Sequence, residues 1–265
     1  MTQIKNNINT YADLTAYNAD TNKDYPNISY IQASDEVKYS NPVVYATFNV
    51  SSPTKVTVTC NPAAFAKIEL NGQEIELVDT YNYDFGARGT YTLKYTLASE
   101  TAIPNKTWGW CNELISMTDI PKTITSIGQS AFLGCKFTSF TIPSGVRSIG
   151  DSAFSGCQRL TSVTIPNSVT SIGASAFGNC TALTNVTIGS GVTSISYIAF
   201  EYCGDTTNKC TFTILATTPP TLANNDIFTI GRTEAIYVPA ESVNTYKSAS
   251  RWSTYASLIQ AIPTT

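Results

Sequence analysis

The chain has no histidine. That removes the commonest general base and metal ligand, and with it every Ser-His-Asp or Cys-His arrangement within one chain. Charge is also scarce: Asp, Glu, Lys and Arg supply 13% of 265 residues, the net charge is −3, and no basic run occurs. A nucleic-acid partner held through its phosphates is therefore not expected. No apolar stretch approaches the ~20 residues that span a bilayer, so membrane insertion is not expected. The opening MTQIKNNINTYADLTAYNAD lacks the apolar core and small-residue cleavage site of a secretory signal. P-loop, dinucleotide and EF-hand signatures are missing. Carboxylate pairs remain for glycosidase chemistry, but Glu74 and Glu76 share a strand face beside a hairpin and read as solvent-facing, and Asp79 and Asp84 flank a turn, where Asp bonds its own backbone, so catalysis is not the expectation. The expectation is a non-enzymatic protein without metal or cofactor.

What the chain has is a repeat. Over residues 120–214 a unit returns about every 23 residues, as IPSGVRSIGDSAFSGCQRLTSVT from Ile142 and IPNSVTSIGASAFGNCTALTNVT from Ile165. Phe132, Phe154, Phe177 and Phe200 keep step, as do Cys111, Cys135, Cys157, Cys180 and Cys203. A fixed period of this length predicts a solenoid in which each unit buries its apolar side only by stacking on neighbours. Leu160, Val163 and Ile165 are spaced L-x-x-L-x-L and predict a strand with Val163 and Ile165 inward. Val146 with Ile149, Val169 with Ile172 and Val192 with Ile195 form a second inward pair, and Gly128, Gly150 and Gly173 are placed at tight turns. The Cys column, one thiol every 22 to 24 residues without a C-x-x-C partner, reads as packed free thiols rather than a zinc site. Cys203 and Cys210 flank an inserted GDTTNK loop and are the one pair placed to form a disulfide across it.

The pattern IPxxVTSIGxxAFxxCxxLTxVT resembles the BspA-type leucine-rich repeat, also called the Treponema pallidum type, over residues 103–214. IYVPAESVNTYKSASRWSTYASLIQAI, residues 236–262, is similar to the segment that closes Bacteroides-type members of that family. The resemblance implies a surface-exposed adhesion or recognition module. Val243, Tyr246, Ala249 and Trp252 recur every third residue and predict one apolar helix face covering the end of the coil. Trp108, Trp110, Cys111, Leu114 and Met117 read as a degenerate first unit that seals the other end.

The overall expectation is a mainly β chain in three parts: an extended arm over 1–40, a small immunoglobulin-like β-sandwich over 41–100, and a leucine-rich-repeat solenoid with a helical cap over 101–265. The sandwich rests on VVYATFNV, KVTVTC, AKIELNGQEIEL and TYTLKYTLA, which alternate as strands, with Asn71-Gly72 as a hairpin. In the arm, Ile4, Ile8, Tyr11 and Leu14 suggest an amphipathic helix. That stretch resembles N-terminal segments of virion proteins from gut phages that infect Bacteroides-like hosts.

Candidate binding residues fall in two groups. Thr161, Thr164, Thr184, Asn185 and Thr187 form polar ladders on the outward strand face, where Thr also serves plain β-propensity. Tyr197, Glu201, Tyr202 and Asp205 lie in or beside the insertion of the last unit, where recognition concentrates on a rigid repeat scaffold. The functional expectation is an oligomeric virion structural or adhesion protein. It would dock on a capsid or tail protein through residues 1–100 and present its repeats to a host-surface glycan or protein. A bacterial cell-surface adhesin is the alternative, and a polysaccharide-acting enzyme stands third.

Overall fold

A computed structural model describes residues 41–264, apart from 53, 78–80 and 119, and the backbone of 28–31 and 36–39. Residues 1–40 and 41–265 are two compact units. In the first, Ile28–Ile31 and Glu36–Tyr39 pair antiparallel, with Ile28 opposite Tyr39. The helix expected over 4–14 lies outside the described residues.

The second unit is built on a coil with two parallel ladders. One stacks Ala102–Ile103, Ser126–Ile127, Ser148–Ile149, Ser171–Ile172, Ser194–Ile195 and Thr221–Leu222. The repeat puts Ser opposite Ser and Ile opposite Ile through its inner rungs, although the first of these units is one residue shorter than the next two. The other stacks Ser162–Ile165, Asn185–Ile188, Cys210–Ile214, Thr233–Val238 and Ile259–Ala261. Its burial alternates as the sequence predicts, with Val163 and Ile165 in and Ser162 and Thr164 out. The insertion after Cys203 leaves the coil as a loop closed by a bridge from Gly204 to Lys209, so the register Ile188 opposite Ile214 survives it.

A column of buried rings runs up the third side. Trp108 stacks on Phe132 at 5.4 Å and 8°, Phe132 on Phe154 at 5.1 Å and 18°, and Phe154 on Phe177 at 5.0 Å and 3°. Phe177 on Phe200 at 5.3 Å and 3°, and Phe200 on Phe228 at 5.9 Å and 8°, complete it. Isolated aromatic pairs prefer offset or edge-on contact. The near-parallel stack is imposed by ladders that repeat every ~4.8 Å. The Cys column sits beside it. Cys135, Cys157, Cys180 and Cys203 each donate Sγ–H to the carbonyl of the ring residue one unit back in the ring column: Trp108, Phe132, Phe154 and Phe177, at 3.1–3.2 Å. The position thus needs a small apolar group that also carries a weak donor. Cys203 makes this same bond and Cys210 is also a free thiol, so the disulfide expected between them is not formed.

Gly128, Gly150 and Gly173 do not hold the left-handed backbone that a tight turn would call for. A Cβ on any of them would lie 2.6–2.8 Å from backbone of the preceding turn, so close approach of successive turns is what excludes a side chain.

The two ends of the coil are closed differently. At the N-terminal end a five-stranded antiparallel sheet runs in the order Leu114–Thr118, Val43–Val50, Gly89–Leu97, Phe65–Leu70, Gln73–Glu74. Asn71 and Gly72 both have positive φ, as a type I′ hairpin requires. One face of this sheet is buried through Val44, Ala46, Phe48, Leu93, Tyr95 and Leu97. Tyr95 meets Trp108 edge-on at 5.4 Å and Phe65 meets it at 5.3 Å, so the sheet covers the first ring of the column. The immunoglobulin-like sandwich is not confirmed. Besides this sheet only the short pair Val56–Thr57 and Asn82–Tyr83 is present among the described residues, and the strand at one edge comes from beyond residue 100. Trp108 is the buried seal, whereas Trp110 is 60% exposed.

At the C-terminal end the helix is shorter than expected, Val243–Ser248. Ala249 is extended and Arg251 is left-handed, so Trp252 starts a separate 3-10 turn rather than continuing one helix face. The cap also ends the backbone ladder: Tyr246 Oη donates to the Ala216 carbonyl at 2.8 Å and Trp252 Nε1 to that of Pro220 at 2.7 Å. Tyr255 Oη donates to the Asn225 carbonyl and Arg251 to that of Leu222. A coil end leaves a layer of carbonyls without partners, and these side chains supply them.

Two outcomes follow from this packing. Trp108→Ala removes the contact between sheet and coil and should cost about 3–5 kcal/mol in denaturant unfolding; a loss under 1 kcal/mol would contradict the packing. The second concerns alkali. Burial raises the ladder thiols, Cys180 to about 12 and Cys157 and Cys203 well above their ordinary value. Unfolded thiols ionise above about 8.5 while these stay protonated, so stability is intact below that pH and is lost as pH rises, by ~1.4 kcal/mol per unit for each thiol. The unfolding midpoint should fall steeply between pH 8 and 10, and less steeply in Cys180→Ala. A midpoint independent of pH there would refute it.

A candidate recognition face on the turns of the coil

Two of the strand-face hydroxyls are engaged by the coil itself. Thr161 Oγ1 donates to the Thr138 carbonyl at 3.3 Å, and Thr184 Oγ1 to that of Thr161 at 3.2 Å. Asn185 Nδ2 in turn donates to Thr184 Oγ1 at 3.1 Å. Thr164 is exposed and Thr187 half-buried on the same strands. Over Ser162–Ile165 and Asn185–Ile188 this face carries no aromatic side chain, and half-buried Tyr237 stands further along it opposite Thr213; Thr161 and Thr184 reinforce the ladder one turn back.

The turn side, outside the ring column, is different. Glu201 and Tyr202 line a notch of about 300 Å³ together with Asn225, Asp226, Phe228, Thr229, Ile230 and Thr254. The backbone fixes this arrangement, since the Tyr202 amide donates to Thr229 Oγ1 at 2.8 Å and ties one turn to the next. The Arg232 guanidinium lies 5.1 Å from the centre of the Tyr202 ring and donates to the Gly204 carbonyl at 3.1 Å. The ring is thus held by a cation on one side.

Of the four residues expected around the insertion, Glu201 and Tyr202 come together at this notch. Tyr197 stands on the same turn segment and is 58% exposed. Asp205 does not join them. Its carboxylate accepts the amides of Asn208 and Thr207, both at 2.6 Å, and these bonds hold it below the usual carboxylate range. It shapes its own loop, as Asp commonly does. The 224–230 side of the notch was not picked out from the sequence. The signal that would have found it is Phe228, which continues the ring column and so marks one further turn. Asp84 caps its turn by accepting the Gly86 amide at 2.8 Å, and Asp79 lies outside the described residues. No group of three or more Cys, Asp or Glu side chains placed to hold a metal occurs among the described residues. No helix among them is long and apolar enough to cross a membrane.

Two parallel ladders, an L-x-x-L-x-L strand and a turn segment with a ring and a thiol define a leucine-rich-repeat coil. Residues 100–218 match the BspA type leucine rich repeat region in six copies, and this segment of the chain is a BspA-type leucine-rich-repeat region. Among solved structures the chain is similar to a leucine-rich repeat protein from Bacteroides ovatus, with 26% identity, a TM-score of 0.40, and coverage of 52% of this chain and 41% of that one. It is similar to the pneumococcal vaccine antigen PcpA, with 20% identity, a TM-score of 0.40 and coverage of 52% and 32%. A leucine rich cell surface protein from Faecalibacterium prausnitzii gives 20% identity, a TM-score of 0.28 and coverage of 62% and 58%. The chain therefore spans less than half the length of the first two. No curated protein matches it. The resemblance of the N-terminal stretch to phage virion proteins is not shown by these comparisons.

Reactive side chains are few, and one thiol stands apart. Cys60 is half-buried while the other six cysteines are buried. A hydrogen bond from Cys111, with Lys106 nearby, lowers its pKa to about 7, whereas the Gly109 carbonyl 2.6 Å from its Sγ favours the protonated form. Iodoacetamide at pH 7.5 should modify the native protein at Cys60 alone, and Cys60→Ser should abolish labelling. Labelling of Cys135, Cys157 or Cys180 in the native state would contradict the packing of the thiol column.

Proposed function

We propose that this chain is a non-enzymatic, adhesion-type recognition protein of the bacterial cell surface. The repeat coil acts as a rigid rod, and the irregular turn face around Tyr202 does the recognising. What carries the reading is a contrast on one scaffold. Over residues 161–187 the strand face carries Ser, Thr and Asn, with Thr161 and Thr184 bonded back to the coil, whereas exposed Tyr202 and Ile230 meet at one notch and exposed Tyr197 stands on the turn segment that holds Tyr202. Binding energy concentrates in such exposed aromatic anchors rather than in uniform polar area. The BspA-type repeat supports a surface placement, because the family is one of surface adhesion modules. The virion placement draws no support from the comparisons, so the cell surface is preferred.

The test is mass spectrometry of two fractions from the source organism, cell envelopes and virus-like particles. Recovery of this chain from envelopes is expected. Recovery from particles alone would overturn the cell-surface placement and restore a virion role. A second expected outcome concerns adhesion: beads coated with the chain should bind the target cells, and Tyr202→Ala should reduce bound beads at least fivefold while Thr164→Ala leaves them unchanged. The reverse pattern would move recognition to the strand face.

A further inference from the structure

In each turn the residue two places after the stacked ring has the same outward position. Up the coil this column reads Trp110, Gly134, Gly156, Asn179, Tyr202 and Ile230. The first five have positive φ, 61°, 74°, 69°, 59° and 56°. Glycine takes that conformation freely, but a bulky side chain there is an outlier that persists where something retains it. Trp110 and Tyr202 are those outliers. They are also 60% and 42% exposed, with Ile230 at 51%. Seven large apolar side chains are exposed among the described residues, and three of them stand in this one column.

The geometry between them is a lane. A Cβ on Gly134 would lie 2.9 Å from the Trp110 ring, so the indole lies against the Gly134 backbone and leaves its other side to solvent. Beyond it Gly156 contributes no side chain and Asn179 contributes an exposed amide. Tyr202 follows, opening onto the notch with Glu201, Asp226 and Thr229. Four turns separate Trp110 from Tyr202, which at ~4.8 Å per turn is about 19 Å.

We propose that this lane binds a neutral, linear polysaccharide, with sugar faces stacked on Trp110 and Tyr202 and hydroxyls bonded by Asn179, Glu201 and Asp226. The inference rests on the recognition role proposed above and names its ligand class. Three observations select this occupant. A pyranose offers both an apolar face and a rim of hydroxyl donors, which suits rings interleaved with carboxylate and amide acceptors. A peptide adding as a strand needs free backbone amides. Here the amides of Trp110, Gly134, Gly156 and Asn179 already donate to the next turn, at 2.6–2.8 Å. An anionic polymer would meet Glu201 and Asp226, while Arg232, the cation over the Tyr202 ring, is already engaged with Gly204.

The experiment is affinity electrophoresis of the full chain in gels containing linear neutral polysaccharides (a mannan, a xylan, a β-glucan and an α-glucan) or anionic ones (heparin and polygalacturonate). Retardation by at least one neutral polymer is expected. It should weaken at least tenfold in Trp110→Ala and in Tyr202→Ala, persist in Trp110→Tyr, and stay unchanged in Thr184→Ala. Melting of each variant confirms that it is folded, and exposed Trp110 can be replaced without opening the core. Retardation insensitive to both alanine variants, retardation by anionic polymers alone, or no retardation by any polymer would each overturn the proposal. The adhesion reading is judged separately, by the bead assay: cell binding that survives Trp110→Ala would leave adhesion standing and remove the glycan lane, whereas absent cell binding would remove both.

Discussion

Six buried rings stacked in register set the pitch for everything else in this protein. Each ring has a single place to stand, above the ring of the previous turn, and the 5.0–5.9 Å separations leave no room for a unit of different height. Other features follow from that pitch. The glycines at 128, 150 and 173 are needed because turns this close bring backbone against backbone. The cysteines fit because only a small group can lie between rings and strands while still reaching a carbonyl of an earlier turn. The insertion after Cys203 is tolerated because it leaves the stack before it lengthens.

A stack also has two ends, and each end has two needs. Apolar surface must be covered, and a layer of backbone groups must find partners. The N-terminal end meets the first need with a whole antiparallel sheet, whose inner face closes over Trp108. The C-terminal end meets both with four side chains, Tyr246, Arg251, Trp252 and Tyr255, each crossing some thirty residues to a carbonyl of the last turn. Because the ends and the inner columns are committed to packing, variation in what the protein presents is confined to the outward positions of the strands and turns. On the strands Ser162–Ile165 and Asn185–Ile188 those positions hold Ser, Thr and Asn. On the turns they hold Trp110, Tyr197, Tyr202 and Ile230, and the functional proposals rest on that difference.

The repeat was legible in the sequence because one physical requirement is restated in every unit. Val163 and Ile165, the Phe column and the Cys column all fall where the period puts them. The Asn71-Gly72 hairpin was legible because its backbone demands those residues. Other features were not readable from local pattern. Alternation in VVYATFNV and TYTLKYTLA announces one buried face but not what buries it, and a second sheet is the usual answer; here the coil fills that role. Three-residue spacing from Val243 to Trp252 suggests one helix, yet the chain turns at Ala249 so that Trp252 and Tyr255 can reach back to the last carbonyls. Trp108 and Trp110 look alike in sequence, but a left-handed residue at 110 sends one inward and the other out. At the candidate site, Glu201, Tyr202 and Tyr197 were flagged by the irregularity of their unit. Asn225, Asp226 and Ile230 lie in a turn whose sequence has lost every repeat signal except Phe228.

If the ring column and its sheet cover are one packed core, residues 41–265 should behave as one cooperative unit. Native-state hydrogen exchange measures this directly. Amides of Leu93 and Tyr95 in the sheet and of Ile172 and Val186 in the coil should open with the same free energy as global unfolding. If the sheet amides instead exchanged through a separate, lower-energy opening while the coil stayed protected, the sheet would be an independent domain and Trp108 would not be the joint on which the structure depends.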